Sequence, residues 1–207
     1  MIFPQKHYDR PGLYLDDYAR EITSAMASVS RDRFHETARR LHDAVHAGRT
    51  IFTCGNGGSA AIANHLVCDC VKGVRADTRI RPKVHSLSSN IEIITAIAND
   101  IAYEEVFAFQ LASFAQAGDV LIAITSSGRS PNIVNAIRHA RAAGLVTIAM
   151  TGFDGGDALK QTEVSLHVTA ENYGVIEDVQ QSLMHALAQY LRLSNMHDRS
   201  LLGARKF

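Results

Sequence analysis

Val120-Leu121-Ile122-Ala123-Ile124-Thr125-Ser126-Ser127-Gly128-Arg129-Ser130-Pro131 passes from five apolar residues through four hydroxyls in six positions to a proline. An unbroken apolar run of five with no polar alternation suits a strand covered on both faces, the habit of parallel sheets. Pro131 suits the first turn of a helix, where a missing N–H costs least. The stretch therefore reads as buried strand, polar loop and helix. In sheets built that way, ligands gather beyond the carboxyl ends of the strands.

The same alternation extends in both directions. Thr50–Cys54, 81–87, 146–150 and 164–168 read as further strands. Segments 59–72, 90–98, 103–115, 131–143 and 175–193 read as helices. Upstream, residues 14–46 carry apolar side chains at three- and four-residue intervals (Ile22, Met26, Val29; Phe34, Ala38, Leu41, Val45) and read as two helices, with Gly48 closing the second. The expectation is an α/β fold: a three-layer αβα sandwich on a central parallel sheet, preceded by N-terminal helices. Its parts are a helical segment 1–48, a domain 49–195 and a tail 196–207.

Three strand-to-helix loops are rich in small polar residues. Cys54-Gly55-Asn56-Gly57-Gly58-Ser59 precedes a helix, so free N–H groups and the helix dipole favour an anion there. It is neither a P-loop nor a dinucleotide signature, because no Gly-Lys-Ser/Thr follows and Ala60 stands at the third glycine position. The alternative is a plain tight turn. In the second loop, a helix cap explains Ser130 but not Thr125, Ser126 and Ser127, so a phosphate monoester is the better reading. Arg129 either reinforces that charge or faces solvent. The third loop, Thr151-Gly152-Phe153-Asp154-Gly155-Gly156, reads as turn chemistry.

Bulk composition narrows the partners. Of 207 residues, 46% are hydrophobic, enough for one sizeable core, and 21 basic residues balance 21 acidic ones. No basic excess marks a nucleic-acid surface and no basic run marks a membrane surface. No leader or membrane-spanning run is read in the sequence, and the expected compartment is the cytoplasm. The three cysteines, Cys54, Cys68 and Cys70, read as buried free thiols and not as a disulfide framework. Two anion loops on a neutral chain point to a small phosphorylated metabolite.

Gly55-Asn56-Gly57-Gly58-Ser59-Ala60-Ala61, His65, Ala98-Asn99-Asp100, the 125–130 loop and the 151–156 loop together closely resemble the phosphoheptose isomerases, the sedoheptulose 7-phosphate isomerases of the sugar-isomerase (SIS) superfamily. The resemblance runs from about residue 14 to residue 193. It implies substrate contacts at Asn56, Gly57, Gly58, Ser59, Asn99, Asp100, Thr125, Ser126, Ser127 and Ser130, and Glu177 is counted with them. It also implies a homotetramer, with the 1–48 helices packed between subunits and each site built from more than one chain. The superfamily also holds a DnaA-binding initiation protein, so a non-catalytic sugar-phosphate-binding module is the alternative reading.

In the resembled family a histidine and a glutamate four residues later, with a glutamine and a histidine eight residues apart on the last helix, bind zinc. Here those positions are His65, Asp69, Glu177 and His185. Both histidines are kept and the other two differ. His65 and Asp69 share a helix face, which suits either a divalent ion such as zinc or a simple histidine–carboxylate hydrogen bond. The resemblance assigns the metal to His65, Asp69, Glu177 and His185, with Asp69 first and Glu177 second as the base, and His185 moving protons on the sugar oxygens. Asp69 is one methylene shorter than the family's glutamate. Glu177 and His185 stand about 12 Å apart along a straight helix, so meeting at one ion demands a bent or late-starting helix, or ligands from two subunits. Gln181, on the face of His185, is held in reserve.

Overall fold

The computed structural model describes residues 2–203; the last residues of the expected tail, 204–207, lie outside them. Five strands form one sheet: β1 (Thr50–Cys54), β2 (Lys83–Ser86), β3 (Val120–Ile124), β4 (Val146–Thr151) and β5 (Val164–His167). Their spatial order is β2-β1-β3-β4-β5, and every pairing is parallel. β3 is central and buried along its whole length. Its residues alternate between the two sides: Val120, Ile122 and Ile124 enter one core, Leu121 and Ala123 the other. The uniformly apolar run thus follows from having a core on each face.

The first core lies against α1 (Pro11–Ser28), α2 (Arg31–His46), α3 (Gly58–Cys68) and α8 (Tyr173–Asn195). The second lies against α4 (Ile91–Asp100), α5 (Ala108–Phe114), α6 (Pro131–Ala142) and α7 (Gly156–Gln161). Ala25 of α1, Val29 just after it, and Leu41 and Val45 of α2 belong to the same core as α8, so segment 1–48 is packed onto the domain. Tyr18 Oη also donates to Asp178 at 2.7 Å. α1 begins at Pro11, three residues before the periodicity suggested, with the proline at its start.

Three elements differ from the sequence reading. The expected helix 59–72 is α3 followed by a π-helical stretch, Asp69–Val74, so the winding changes at Asp69 itself. The expected helix 103–115 is a 3-10 turn, Tyr103–Glu105, and then α5. The 151–156 loop leads into α7, too short at six residues to show a period. Cys54 and Cys70 are buried, and burial pushes both thiols up to about 12. Cys68 is exposed, contrary to the expectation of packing: it ends α3 on the outward side.

Candidate active site

The strand order reverses between β1 and β3, and the loops after these strands open a shared crevice, the usual ligand position in such sheets. A cleft of about 140 Å³ lies there, lined by Asn56, Ser59, Thr125, Ser126, Ser127, Ser130, Tyr173 and Glu177. A larger cleft of about 360 Å³ sits between the α1–α2 turn and β5 and includes none of the expected site residues.

The hydroxyl loop is rigid for identifiable reasons. Thr125 Oγ1 accepts from Gly128 N at 3.2 Å, and Ser127 Oγ accepts from Arg129 N at 3.3 Å. Gly128 has φ +66°, and a Cβ there would lie 1.9 Å from the Gly155 carbonyl oxygen, so only glycine lets the second loop seat on the third. Arg129 pairs with Asp154 across the same two loops and not with the cleft, which decides the question left open by sequence. Ser130 is the residue ahead of α6, yet its hydroxyl makes no capping bond. Ser126 is 5% exposed, and its Oγ has no hydrogen-bond partner among the described residues. A buried hydroxyl without a partner costs about 1–3 kcal/mol. This is the arrangement expected of a donor kept for a ligand.

The glycine loop is fixed by contacts that sequence reading missed. Asn56 and Asn132 exchange two amide hydrogen bonds, both 2.9 Å, and Tyr103 Oη donates to Asn56 Oδ1 at 3.1 Å. Gly55 is bound through both its N–H and its carbonyl to Ser88 Oγ. Asn132 and Ser88 carry no motif; only the fold brings them to the loop. Asn99 and Asp100 end α4 on the exposed surface, bonded to each other at 2.7 Å, and do not line the cleft.

α3 and α8 pack side by side and carry the remaining groups on two rungs. On the upper rung the Glu177 carboxylate lies against Gly58: a Cβ there would be 2.3 Å from Glu177 Oε2, so glycine lets the carboxylate lie directly on the start of α3. Burial, and then the charge of Asp178, raise the Glu177 carboxyl above its ordinary range. On the lower rung His65 Nε2 stands 3.3 Å from Asp69 Oδ1, and His185 Nδ1 stands 2.8 Å from Asp69 Oδ2. The two imidazole rings meet edge to face at 5.0 Å. One ligand atom from each of His65, Asp69 and His185 lies within 4.8 Å of the others. That nitrogen–oxygen–nitrogen donor set suits a divalent ion such as zinc. Gln181 Nε2 is 2.9 Å from His185 Nε2.

Glu177 does not join this cluster, contrary to the four-ligand expectation. α8 runs unbroken from Tyr173 to Asn195, so eight residues hold Glu177 and His185 about two turns apart. Three of the four expected ligands come together; the fourth lines the hydroxyl cleft.

Comparison with known proteins identifies the family. The SIS domain family matches residues 14–152. A phosphoheptose isomerase of Nitratidesulfovibrio vulgaris is 36% identical over 158 residues, 76% of each chain. This chain belongs to the phosphoheptose isomerase family of SIS domains. Another member of that family, from Colwellia psychrerythraea, is 39% identical over 147 residues, 70% of this chain and 74% of its own. The solved structure of phosphoheptose isomerase GmhA from Neisseria gonorrhoeae is 27% identical and superposes with a TM-score of 0.80, covering 88% of this chain and 97% of that one. Family membership makes the chain a sugar-phosphate isomerase by class. No helix among the described residues is long and apolar enough to cross a membrane.

Proposed function

We propose that this chain is a divalent-metal-dependent aldose–ketose isomerase that converts sedoheptulose 7-phosphate to D-glycero-D-manno-heptose 7-phosphate. The observation that carries this reading is the unpartnered, buried hydroxyl of Ser126 in a cleft of hydroxyls, two helical turns from the His65–Asp69–His185 cluster. The phosphate accepts hydrogen bonds from Ser126, Ser127 and Ser130 and from backbone N–H groups where α3 and α6 begin.

The spacing of the rungs supports a long substrate. His65 follows Gly58 by seven residues and His185 follows Glu177 by eight, so the two levels are about 10–12 Å apart. An extended seven-carbon chain covers about 7.5 Å from C1 to C7 and about 10 Å to the phosphorus, from ordinary C–C bond lengths. A heptose held by its phosphate in the cleft therefore brings C1 and C2 to the lower rung.

There Asp69 takes the proton from the carbon next to the carbonyl and returns it to the neighbouring carbon. The proton on the two enediol oxygens exchanges through solvent, because both nitrogens of His185 would be engaged, one by the ion and one by Gln181. The ion that His65, Asp69 and His185 would hold supplies Lewis acidity toward those oxygens. Asp69 has one oxygen toward each histidine, so binding through one leaves the other for the proton. Glu177 stands at the phosphate end and is the second candidate base.

Leu13, Tyr14 and Leu15 of α1 are exposed apolar residues in segment 1–48, which supports a homotetramer with sites shared between subunits. Asn99 and Asp100 then serve a neighbouring site. Free thiols at all three cysteines support a cytoplasmic protein.

The test is incubation of the zinc-loaded protein with sedoheptulose 7-phosphate while following the aldose product. Activity is expected to fall for six- and five-carbon ketose phosphates. Binding without turnover on any five- to eight-carbon ketose phosphate would replace the isomerase with a sugar-phosphate-binding module.

A further inference from the structure

Gln181 is half-buried on α8, one turn before His185, and its role follows from which atoms can donate. Its Nε2 faces His185 Nε2 at 2.9 Å. An amide nitrogen only donates. His185 Nε2 must therefore accept, which places the ring hydrogen on Nδ1, the nitrogen 2.8 Å from Asp69 Oδ2. In this arrangement the nitrogen that faces Asp69 is protonated and has no lone pair for an ion.

A cation among His65, Asp69 and His185 requires the opposite. His185 reaches Asp69 through Nδ1, so Nδ1 is the nitrogen placed to meet an ion that Asp69 holds. Its proton leaves to solvent, and Nε2 takes one up, so the ring stays neutral. Nε2 then needs an acceptor, since a metal-ligating histidine almost always donates its second ring N–H to a carbonyl, a carboxylate or water. Gln181 meets that need by turning its amide over to present Oε1. We propose that Gln181 is a positioning residue: it directs His185 to bind the ion through Nδ1, and its amide reverses between the ion-free and ion-bound protein. This rests on the metal-dependent reading above. It explains why an amide suits this position: a carboxylate would favour only the ion-bound arrangement, and an apolar side chain neither.

The test uses the full chain labelled with 15N-histidine, and zinc as the probe. Long-range 1H–15N spectra distinguish a ring bound through Nδ1 from one bound through Nε2. Zinc affinity, read by competition with a chromophoric chelator at one fixed pH, is compared for the wild type, Gln181→Met, Gln181→Glu and His185→Ala. The expected spectrum has zinc on His185 Nδ1 and hydrogen on Nε2. The expected affinities are about 10- to 100-fold weaker for Gln181→Met and no weaker than wild type for Gln181→Glu. Zinc on Nε2, or a Gln181→Met affinity within twofold of wild type while His185→Ala has lost the ion, overturns this inference alone. No zinc binding by the wild type, or binding that His185→Ala leaves intact, overturns the metal reading and this inference with it. Circular dichroism of the Met and Glu variants establishes that both are folded.

Discussion

Replacing Ser126 with alanine should make the protein more stable and a worse enzyme at once. The hydroxyl is buried without a partner among the described residues, so the ligand-free fold bears an unmet desolvation cost of about 1–3 kcal/mol. Alanine removes that cost and leaves only a void the size of one oxygen. The backbone carbonyl of Ser126, which accepts from Gly152 N at 2.8 Å, is untouched by the change. A net gain of about 1–2 kcal/mol in a chain of this length raises the melting temperature by roughly 2–8 °C. The substrate phosphate loses one charge-assisted hydrogen bond, about 1.5–3 kcal/mol, so KM should rise roughly tenfold to a hundredfold, with little change in kcat. Thermal melts with and without saturating inorganic phosphate, beside initial rates, measure both effects. Wild type should gain stability from phosphate by mass action, and the variant should gain much less. A lower melting temperature with KM within twofold of wild type would refute the reasoning, since it would make Ser126 an ordinary structural hydroxyl.

Gly58→Ala puts a Cβ 2.3 Å from Glu177 Oε2, short of an ordinary C···O contact by about 1 Å, so the flexible carboxylate backs away. If Asp69 is the base, kcat holds within about threefold and KM changes; a hundredfold fall in kcat, the scale expected for a 1 Å displacement of a reacting group, hands the base role to Glu177. Asp69→Glu restores the longer acid of the resembled family and should keep kcat within tenfold; a larger loss would show a site tuned to the shorter side chain. Glu177→Gln tests the raised carboxyl. Stability from a group whose folded value is raised is fully present below its ordinary value and lost as pH rises through the raised one. The variant should therefore gain on wild type as pH rises above the ordinary carboxylate range in urea melts, and parallel curves would contradict that.

The fold was legible because its signals are local. β3 reads as doubly buried from five consecutive apolar residues, and α6 from a proline placed where a helix starts. The hydroxyl loop between them was legible for the same reason. What stayed hidden depends on distant partners. Asn56 and Asn132 are 76 positions apart, and neither shows in the sequence that it will saturate the other. Arg129 finds Asp154 only because two loops stack through Gly128. The π-helical turn at Asp69 has no periodic signature over six residues. The absence of Glu177 from the cluster, by contrast, follows from the rise of an unbroken helix and was already implied by its spacing from His185.

That spacing also decides how this chain's two departures from the resembled family relate. Asp69 shortens the acid on the lower rung, and Glu177 adds an acid on the upper one. About 12 Å of rigid helix separates Glu177 from His185, so the added carboxylate cannot make up for the missing methylene at the reacting carbons. On the proposed reading, each change acts on its own end of the substrate. At the lower end the shorter acid is drawn toward the two histidines that already hold both its oxygens. At the upper end a carboxylate lines the same cleft as the hydroxyls, where it repels a dianion unless it is protonated. Its raised proton affinity is the direction that lessens the conflict. On the proposed reading Glu177 therefore bears on the affinity of the phosphate end and not on the reacting carbons.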